Sequence, residues 1–341
     1  MKLSALGEFN LINIMTRDIL TNPVEVVMGI GDDAAVLKVS PDQWLLFTTD
    51  MLIEEVHFSL NWASFFQVGA KAITVNVSDI AAMGGKAAHA VVSLGLPERL
   101  SVENIEELYS GLRKAALDYN INIVGGDVVK SPALLILNVA LLGLVEPEHV
   151  IFRSGARPGN FIYVTGCLGT SAAGLYLCQH PEVQIPESAR GLVSNTFLCP
   201  RAQSTAGRLL GESKGVSAME DISDGLLGEL AKICQASKVG CRIKLKDVPV
   251  AEEVRLIASR TKNDLFKWAL SGGEDFELVF TVAPPDTIKI QEILNRAGVG
   301  CHLIGEIVPA AQGMAVELPD STLLPVSFEG YDHFAYKEKL E

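Results

Sequence analysis

The chain has 341 residues, 48% of them hydrophobic and 20% charged, and a formal net charge of −13. That length exceeds one ordinary core and predicts two domains, and the acidic balance speaks against a nucleic-acid-binding surface. No stretch approaches a membrane span and the first residues lack an apolar signal core, so a soluble, cytoplasmic protein is expected.

In chain order, Leu11, Ile12, Ile14, Met15, Ile19 and Leu20 recur at helical spacing and predict a packing helix or lid, closed by Asn22-Pro23. Gly29-Ile30-Gly31-Asp32-Asp33 reads as a turn whose glycines free the backbone and place two carboxylates side by side. Strands are expected over Ala34–Val39 and Trp44–Thr48, the second ending in Thr48-Thr49-Asp50. Hard oxygen ligands of that kind suit Mg²⁺. His57 follows on the segment leaving that strand end. Ala70–Met83 predicts a helix with Asn76 and Asp79 on one face, where an acid beside small residues is costly without a partner such as a cation. A strand over Ala87–Leu96, a helix over Val102–Tyr119, a strand over Asn122–Asp127 ending in glycines and an acid, and a β run over Leu134–Leu144 complete the first half. Alternating strands and helices predict an α/β or α+β layer structure rather than a bundle.

A boundary is expected near Glu146-Pro147-Glu148, giving domains 1–148 and 149–341. Arg153 and Arg157 open the second half in a tight loop, and guanidinium groups can fork onto phosphate. A strand over Phe161–Thr165 feeds a glycine-containing turn and a helix over Ala172–Cys178; such a turn can bind phosphate, although it lacks the Gly-Lys-Ser/Thr ending of a Walker loop. Asp221-Ile222-Ser223-Asp224-Gly225-Leu226 begins a helix running to about Ala236, its acids serving either as caps or as ligands. Ser271-Gly272-Gly273-Glu274-Asp275-Phe276-Glu277-Leu278 is the last acidic turn, entering a strand through Val282. The tail from Phe328 to Phe334 concentrates aromatics, which implies docking on a core or a ligand ring. The six cysteines show no C-x-x-C pairing and are read as small apolar residues.

One acidic turn says little, but this chain repeats the device at Asp33, Asp50, Asp79, Asp127, Asp221 and Asp224. Carboxylates gathered in one site must either hold protons or bind cations. Nucleotide phosphates with Mg²⁺ would balance such a set, the ions bridging phosphate oxygens. A two-metal hydrolase uses similar ligands, usually with histidines, and here only His57 is well placed. The expectation is a metal cage assembled from both halves, with Asp33 as the ligand and Asp32 as its neighbour in the turn.

Taken together, Gly29-Ile30-Gly31-Asp32-Asp33-Ala34-Ala35, Thr48-Thr49-Asp50 with His57-Phe58, and Asn76-Val77-Ser78-Asp79-Ile80-Ala81-Ala82-Met83-Gly84 resemble the thiamine-monophosphate kinase family. Gly125-Gly126-Asp127, Arg153-Ser154-Gly155-Ala156, the Asp221–Leu226 motif and the Ser271–Leu278 motif continue the resemblance in family order over nearly the whole chain. It implies transfer of the ATP γ-phosphoryl group to thiamine monophosphate, giving thiamine diphosphate. It also implies a two-domain fold like aminoimidazole ribonucleotide synthetase, with the N-terminal sheets of two subunits joined in a homodimer and an α/β C-terminal domain. Carried over by motif, Asp33, Thr48, Thr49, Asp50, Asp79, Asp127, Asp221 and Asp224 would bind several Mg²⁺ ions. Tyr109, Gly126, Asp127, Arg153 and Ser223 would contact ATP, and His57, Glu274 and Tyr331 would hold thiamine monophosphate. The acceptor is a phosphate oxygen already ionised at neutral pH, so no general base is expected and direct in-line attack is implied. Glu55 stands where the family commonly has Gly, and Val128 where Thr is frequent. Two alternatives stay open: an ATP-dependent amidine-forming ligase of the same fold, and a non-catalytic metal or nucleotide sensor.

Overall fold

The computed structural model describes residues 8–16 and 19–326. The first half is a six-stranded sheet in the order β1-β2-β3-β6-β4-β5. Its strands are β1 (Val26–Met28), β2 (Ala35–Lys38), β3 (Trp44–Ile53), β4 (Lys86–Pro97), β5 (Asn122–Ser131) and β6 (Ile136–Val145). All neighbours are antiparallel except β4 and β5. Helices α2 (Phe65–Ala82) and α3 (Val102–Asp118) cover one face, after a short α1 (Glu8–Met15). Both covering helices start with a capping box, Ser64 with Gln67 and Ser101 with Asn104, which satisfies two otherwise orphaned amides each.

β3 and β5 run further than the sequence predicts. The β-branched and apolar residues after Asp50 and Asp127 keep pairing, so both acids lie within strands rather than at strand ends. Strand alternation then divides the Thr48-Thr49-Asp50 triplet. Leu46, Thr48 and Leu52 are buried beneath the helices, whereas Phe47, Thr49 and Met51 are exposed on the open face. Helix α2 is buried almost all round, not on one face only, because it also packs on elements of the second half.

That second half is a seven-stranded sheet in the order β13-β12-β9-β11-β7-β10-β8. The strands are β7 (Phe161–Thr165), β8 (Val216–Asp221), β9 (Val239–Lys244), β10 (Leu278–Val282), β11 (Cys301–Pro309), β12 (Met314–Glu317) and β13 (Leu323–Pro325). Its helices are α4 (Thr170–Gln179), α5 (Glu187–Leu198), α6 (Ser204–Ser213), α7 (Leu226–Ser237), α8 (Glu252–Thr261), α9 (Leu265–Ser271) and α10 (Thr287–Arg296). Alternate strand residues feed two cores: Ile162, Val164 and Val279 one, Tyr163, Leu278 and Phe280 the other. Ala82 of α2 joins that other core with Leu210 of α6, so the first half's central helix is built into the second half.

Candidate active site

The seam between the halves is where the acidic motifs meet. Asp79 of α2 accepts a short hydrogen bond from Thr48 Oγ1 of β3. One residue earlier, Ser78 Oγ donates to Asp221 Oδ2 at the end of β8, 2.6 Å away. Asp50 is oriented through its backbone, its N–H donating to Asn76 Oδ1 at 3.1 Å, while Asn76 Nδ2 ties back to Ala72 O. Burial pushes Asp79 well above the usual carboxylate range, and Asp50, Asp221 and Asp33 push it further. Burial also raises Asp221, with Asp33 adding to it, and lifts Asp50 to about 6 with help from Asp224. These four acids therefore share one field although they come from three separate elements and a turn.

Asp32 and Asp33 have different jobs. Asp32 accepts the Arg153 backbone N–H at 3.2 and 3.3 Å and so anchors the segment entering the second half. Burial, with Asp33 adding to it, lifts its carboxyl to about 7. Asp33 Oδ1 takes Arg153 Nη2 at 2.9 Å, while its Oδ2 is buried without a hydrogen-bond partner. Arg153 also lies 2.8 Å from Glu220 Oε1, and Glu220 Oε2 is likewise buried and unpartnered. The Arg153 guanidinium, expected in a tight loop from which it can fork onto phosphate, is thus engaged by Asp33 and by Glu220 of β8.

Several positions here escaped the sequence reading. Glu229, in the first turns of α7, accepts the Asp224 N–H at 2.9 Å, lies 3.4 Å from Ser223 Oγ, and pairs through its other oxygen with Lys232 at 2.7 Å. Lys232 reaches Asp224 Oδ2 at 3.2 Å. Burial opposes the charge on Lys232, but Glu229, Glu220 and Asp224 outweigh it and hold the amine above the ordinary lysine range. The Glu-x-x-Lys spacing on α7 was a readable signal for this pair.

The glycine-rich acidic motif zips onto the Asp221–Asp224 loop: Ile222 N donates to Glu277 O, Phe276 N to Ile222 O, and Glu274 N to Ser223 O. Glu274 and Phe276 take positive φ values of 66° and 50°, a strain typical of functional turns. Glu274 pairs with Lys71 Nζ of α2 at 2.7 Å. His57 Nδ1 accepts the Ile53 N–H at 3.0 Å, which leaves Nε2 to carry the ring proton of the neutral imidazole. With Phe58, Trp62, Lys71 and Phe197 it lines a small cavity.

Not every predicted site residue joins this group. Thr49 bonds the Val139 carbonyl on the open face of the sheet. Asp127 and Gly126 lie on edge strand β5, which β4 and β6 separate from β3, roughly 14 Å at ordinary strand spacing. A Cβ at Gly126 would meet Val92 O at 1.8 Å, so that glycine is required by the close approach of β4. Tyr109 of α3 is half-buried against the first core. Tyr331 lies outside the described residues.

Among the described residues no three His, Cys, Asp or Glu side chains close into a group able to hold a metal ion by themselves. The donor set still fits Mg²⁺. That ion takes one or two carboxylates and keeps water and substrate phosphates for its other positions, and Asp33 Oδ2 and Glu220 Oε2 are buried carboxyl oxygens without a hydrogen-bond partner, which a cation would satisfy.

Family models for AIR synthase related proteins match twice, the N-terminal domain over residues 31–145 and the C-terminal domain over 157–316. The chain is 33% identical to a thiamine-monophosphate kinase of Bacillus subtilis, over 96% of this chain and all of that protein. It is 34% identical to the thiamine-monophosphate kinase of Escherichia coli K12, over 97% and 99%. A solved structure described as AaThiL complexed with AMPPCP and TMP superposes with a TM-score of 0.84 at 33% identity, covering 98% of this chain and 99% of that one.

Proposed function

This chain belongs to the thiamine-monophosphate kinase family, built on the two AIR synthase related domains, and from that premise we propose that it phosphorylates thiamine monophosphate with ATP to give thiamine diphosphate. The observation that carries the reading is the seam of buried, mutually repelling carboxylates, two of them with unpartnered oxygens. A buried seam holding so many acids suits polyphosphate only when cations lie between them.

In this reading Asp33, Thr48, Asp50, Asp79, Asp221 and Asp224 hold several Mg²⁺ ions, and Thr49 and Asp127 assist from the open face. Bound there, Mg²⁺ would neutralise the phosphate oxygens and the charge of the transferring group. Ser78 and Asn76 orient the acids of both halves, and the Lys232–Glu229 pair holds the Asp224 loop in place. Ser223, Tyr109, Gly126 and Arg153 serve ATP, Arg153 exchanging part of its carboxylate contact for phosphate. His57, Glu274 and Tyr331 hold thiamine monophosphate. No side chain need take a proton, because the attacking phosphate oxygen is already ionised; alignment and charge neutralisation carry the in-line transfer.

The open face of the first sheet supports a homodimer. Phe47, Met51, Val91 and Val129 are 40–56% exposed there, an apolar patch that an isolated protein would not ordinarily leave to water. Thr49 and Asp127 share that face, so their part in the site depends on what a second copy brings to it. The division into domains 1–148 and 149–341 and a cytoplasmic location belong to the same proposal. Among the described residues no helix is long and apolar enough to cross a membrane.

The test is direct: incubation with ATP, Mg²⁺ and thiamine monophosphate yields thiamine diphosphate and ADP in equal amounts. ADP with free phosphate and no thiamine diphosphate would favour the amidine-forming ligase, and binding without turnover the sensor.

A further inference from the structure

Lys71 is a buried cation outside the acidic seam. Its side chain is 4% exposed, with Nζ 2.7 Å from Glu274 Oε1, 3.5 Å from the Phe197 carbonyl oxygen and 4.4 Å from the centre of the Phe197 ring. An amine taken so far out of water needs a carboxylate partner, and the partner comes from the other half of the chain. Glu274 is itself fixed by its backbone: φ is +66°, its N–H donates to Ser223 O, and its carbonyl accepts Ser171 Oγ at 2.7 Å. The two other acids of that motif are used internally. Asp275 accepts the Gly169 and Ser171 amides at the start of α4, and Glu277 accepts Thr165 Oγ1. Glu274 is the acid of the three that reaches across the seam, and its side chain remains 30% exposed.

The cavity beside Lys71 measures about 10 Å³, room for about one water and too little for a ring. A ligand therefore meets Glu274 from its exposed side. We propose that Lys71 is a positioning residue, which by holding Oε1 fixes the Glu274 carboxylate so that Oε2 receives the cationic or amino-bearing ring system of thiamine monophosphate. The inference rests on Glu274 as a contact for that substrate. It adds a geometric consequence: Lys71 and Asp79 are eight residues apart on one helix, a rise of about 12 Å. One rigid element thus sets the spacing between the ring end and the phosphate end of the substrate.

The experiment compares steady-state ADP formation by the wild type, Lys71→Met, Lys71→Arg, Glu274→Gln and the Lys71→Met/Glu274→Gln double variant, varying ATP and thiamine monophosphate separately. Lys71→Met is expected to raise KM for thiamine monophosphate about tenfold while kcat and KM for ATP change about twofold or less. Lys71→Arg should recover part of that loss, and the double variant should be no worse than Glu274→Gln, because both changes act through one carboxylate. The double variant also leaves no unpaired buried charge, so the comparison stands if Lys71→Met alone fails to fold. An unchanged KM for thiamine monophosphate in Lys71→Met, with only the melting temperature lowered, would show a merely structural lysine and overturn the inference alone. Additive KM effects in the double variant would overturn it too. A wild type that makes no ADP in response to thiamine monophosphate would overturn the proposed function, and this inference with it.

Discussion

At the scale of single residues, the site is a place where stability is given up for charge. Asp79 is buried with Asp50, Asp221 and Asp33 all raising its pKa. Asp79→Asn keeps the shape and an acceptor for Thr48 but removes the repulsion. The variant should melt higher than the wild type in metal-free buffer and turn over more slowly by on the order of 10²-fold. Thermal melts with a chelator and an ADP assay check both halves of that claim; full activity would remove Asp79 from the site. Glu55 is the second instructive residue. It sits at φ +63°, with its carboxylate accepting Ser59 Oγ at 2.9 Å. At a left-handed backbone position glycine carries no side-chain cost, in keeping with the glycine that the resemblance leads one to expect here. Glu55→Gly and Glu55→Ala both lose the Ser59 bond, yet the glycine variant should be about 1 kcal/mol the more stable in denaturant titrations. Equal stabilities would mean that this backbone strain is absent.

Among the elements, β7 and β10 are held at their edge by a polar pair as well as by their ladder. Glu277 accepts Thr165 Oγ1, and Thr165 Oγ1 accepts the Leu278 N–H at 2.8 Å. Gly166, at φ +52°, leaves the space that the carboxylate fills; a Cβ there would lie 2.2 Å from Glu277 Oε1. Burial lifts Glu277 to about 7, against an ordinary 4.5. Between those values the folded chain binds more protons than the unfolded one, so this group's contribution is present at low pH and is lost as pH rises through about 7. Glu277→Gln removes the titration. Relative to the wild type, its unfolding free energy should therefore improve by about 2–3 kcal/mol between pH 4 and pH 8. Parallel pH profiles for the two proteins would contradict this.

For the whole molecule, the two halves are joined by polar contacts as well as by the apolar core that Ala82 shares with Leu210. Asp32 holds the Arg153 amide, Ser78 holds Asp221, and Lys71 holds Glu274. The first sheet meanwhile leaves one face open, with Val91 40% exposed at its middle. If that face seats a second copy, Val91→Asp puts a charge where it would have to be desolvated. The variant should run as a monomer in light scattering at concentrations where the wild type is a dimer. A monomeric wild type would end the dimer proposal.

The amino-acid sequence by itself determined the alternation of strands and helices, the span Phe161–Thr165, the helix carrying Asn76 and Asp79, and the family. Periodicity, caps and short motifs are local properties, legible without a partner. It could not say where β3 and β5 stop, because pairing with β6 and β4 extends a strand past residues that read as turn. For the same reason it could not tell that Thr48 and Thr49 face opposite sides of a sheet. Which acids share a field was decided by the tertiary structure alone. Electrostatic coupling depends on distance and burial, and the contacts of Ser78 with Asp221, of Arg153 with Glu220 and of Lys71 with Glu274 join residues far apart in the chain.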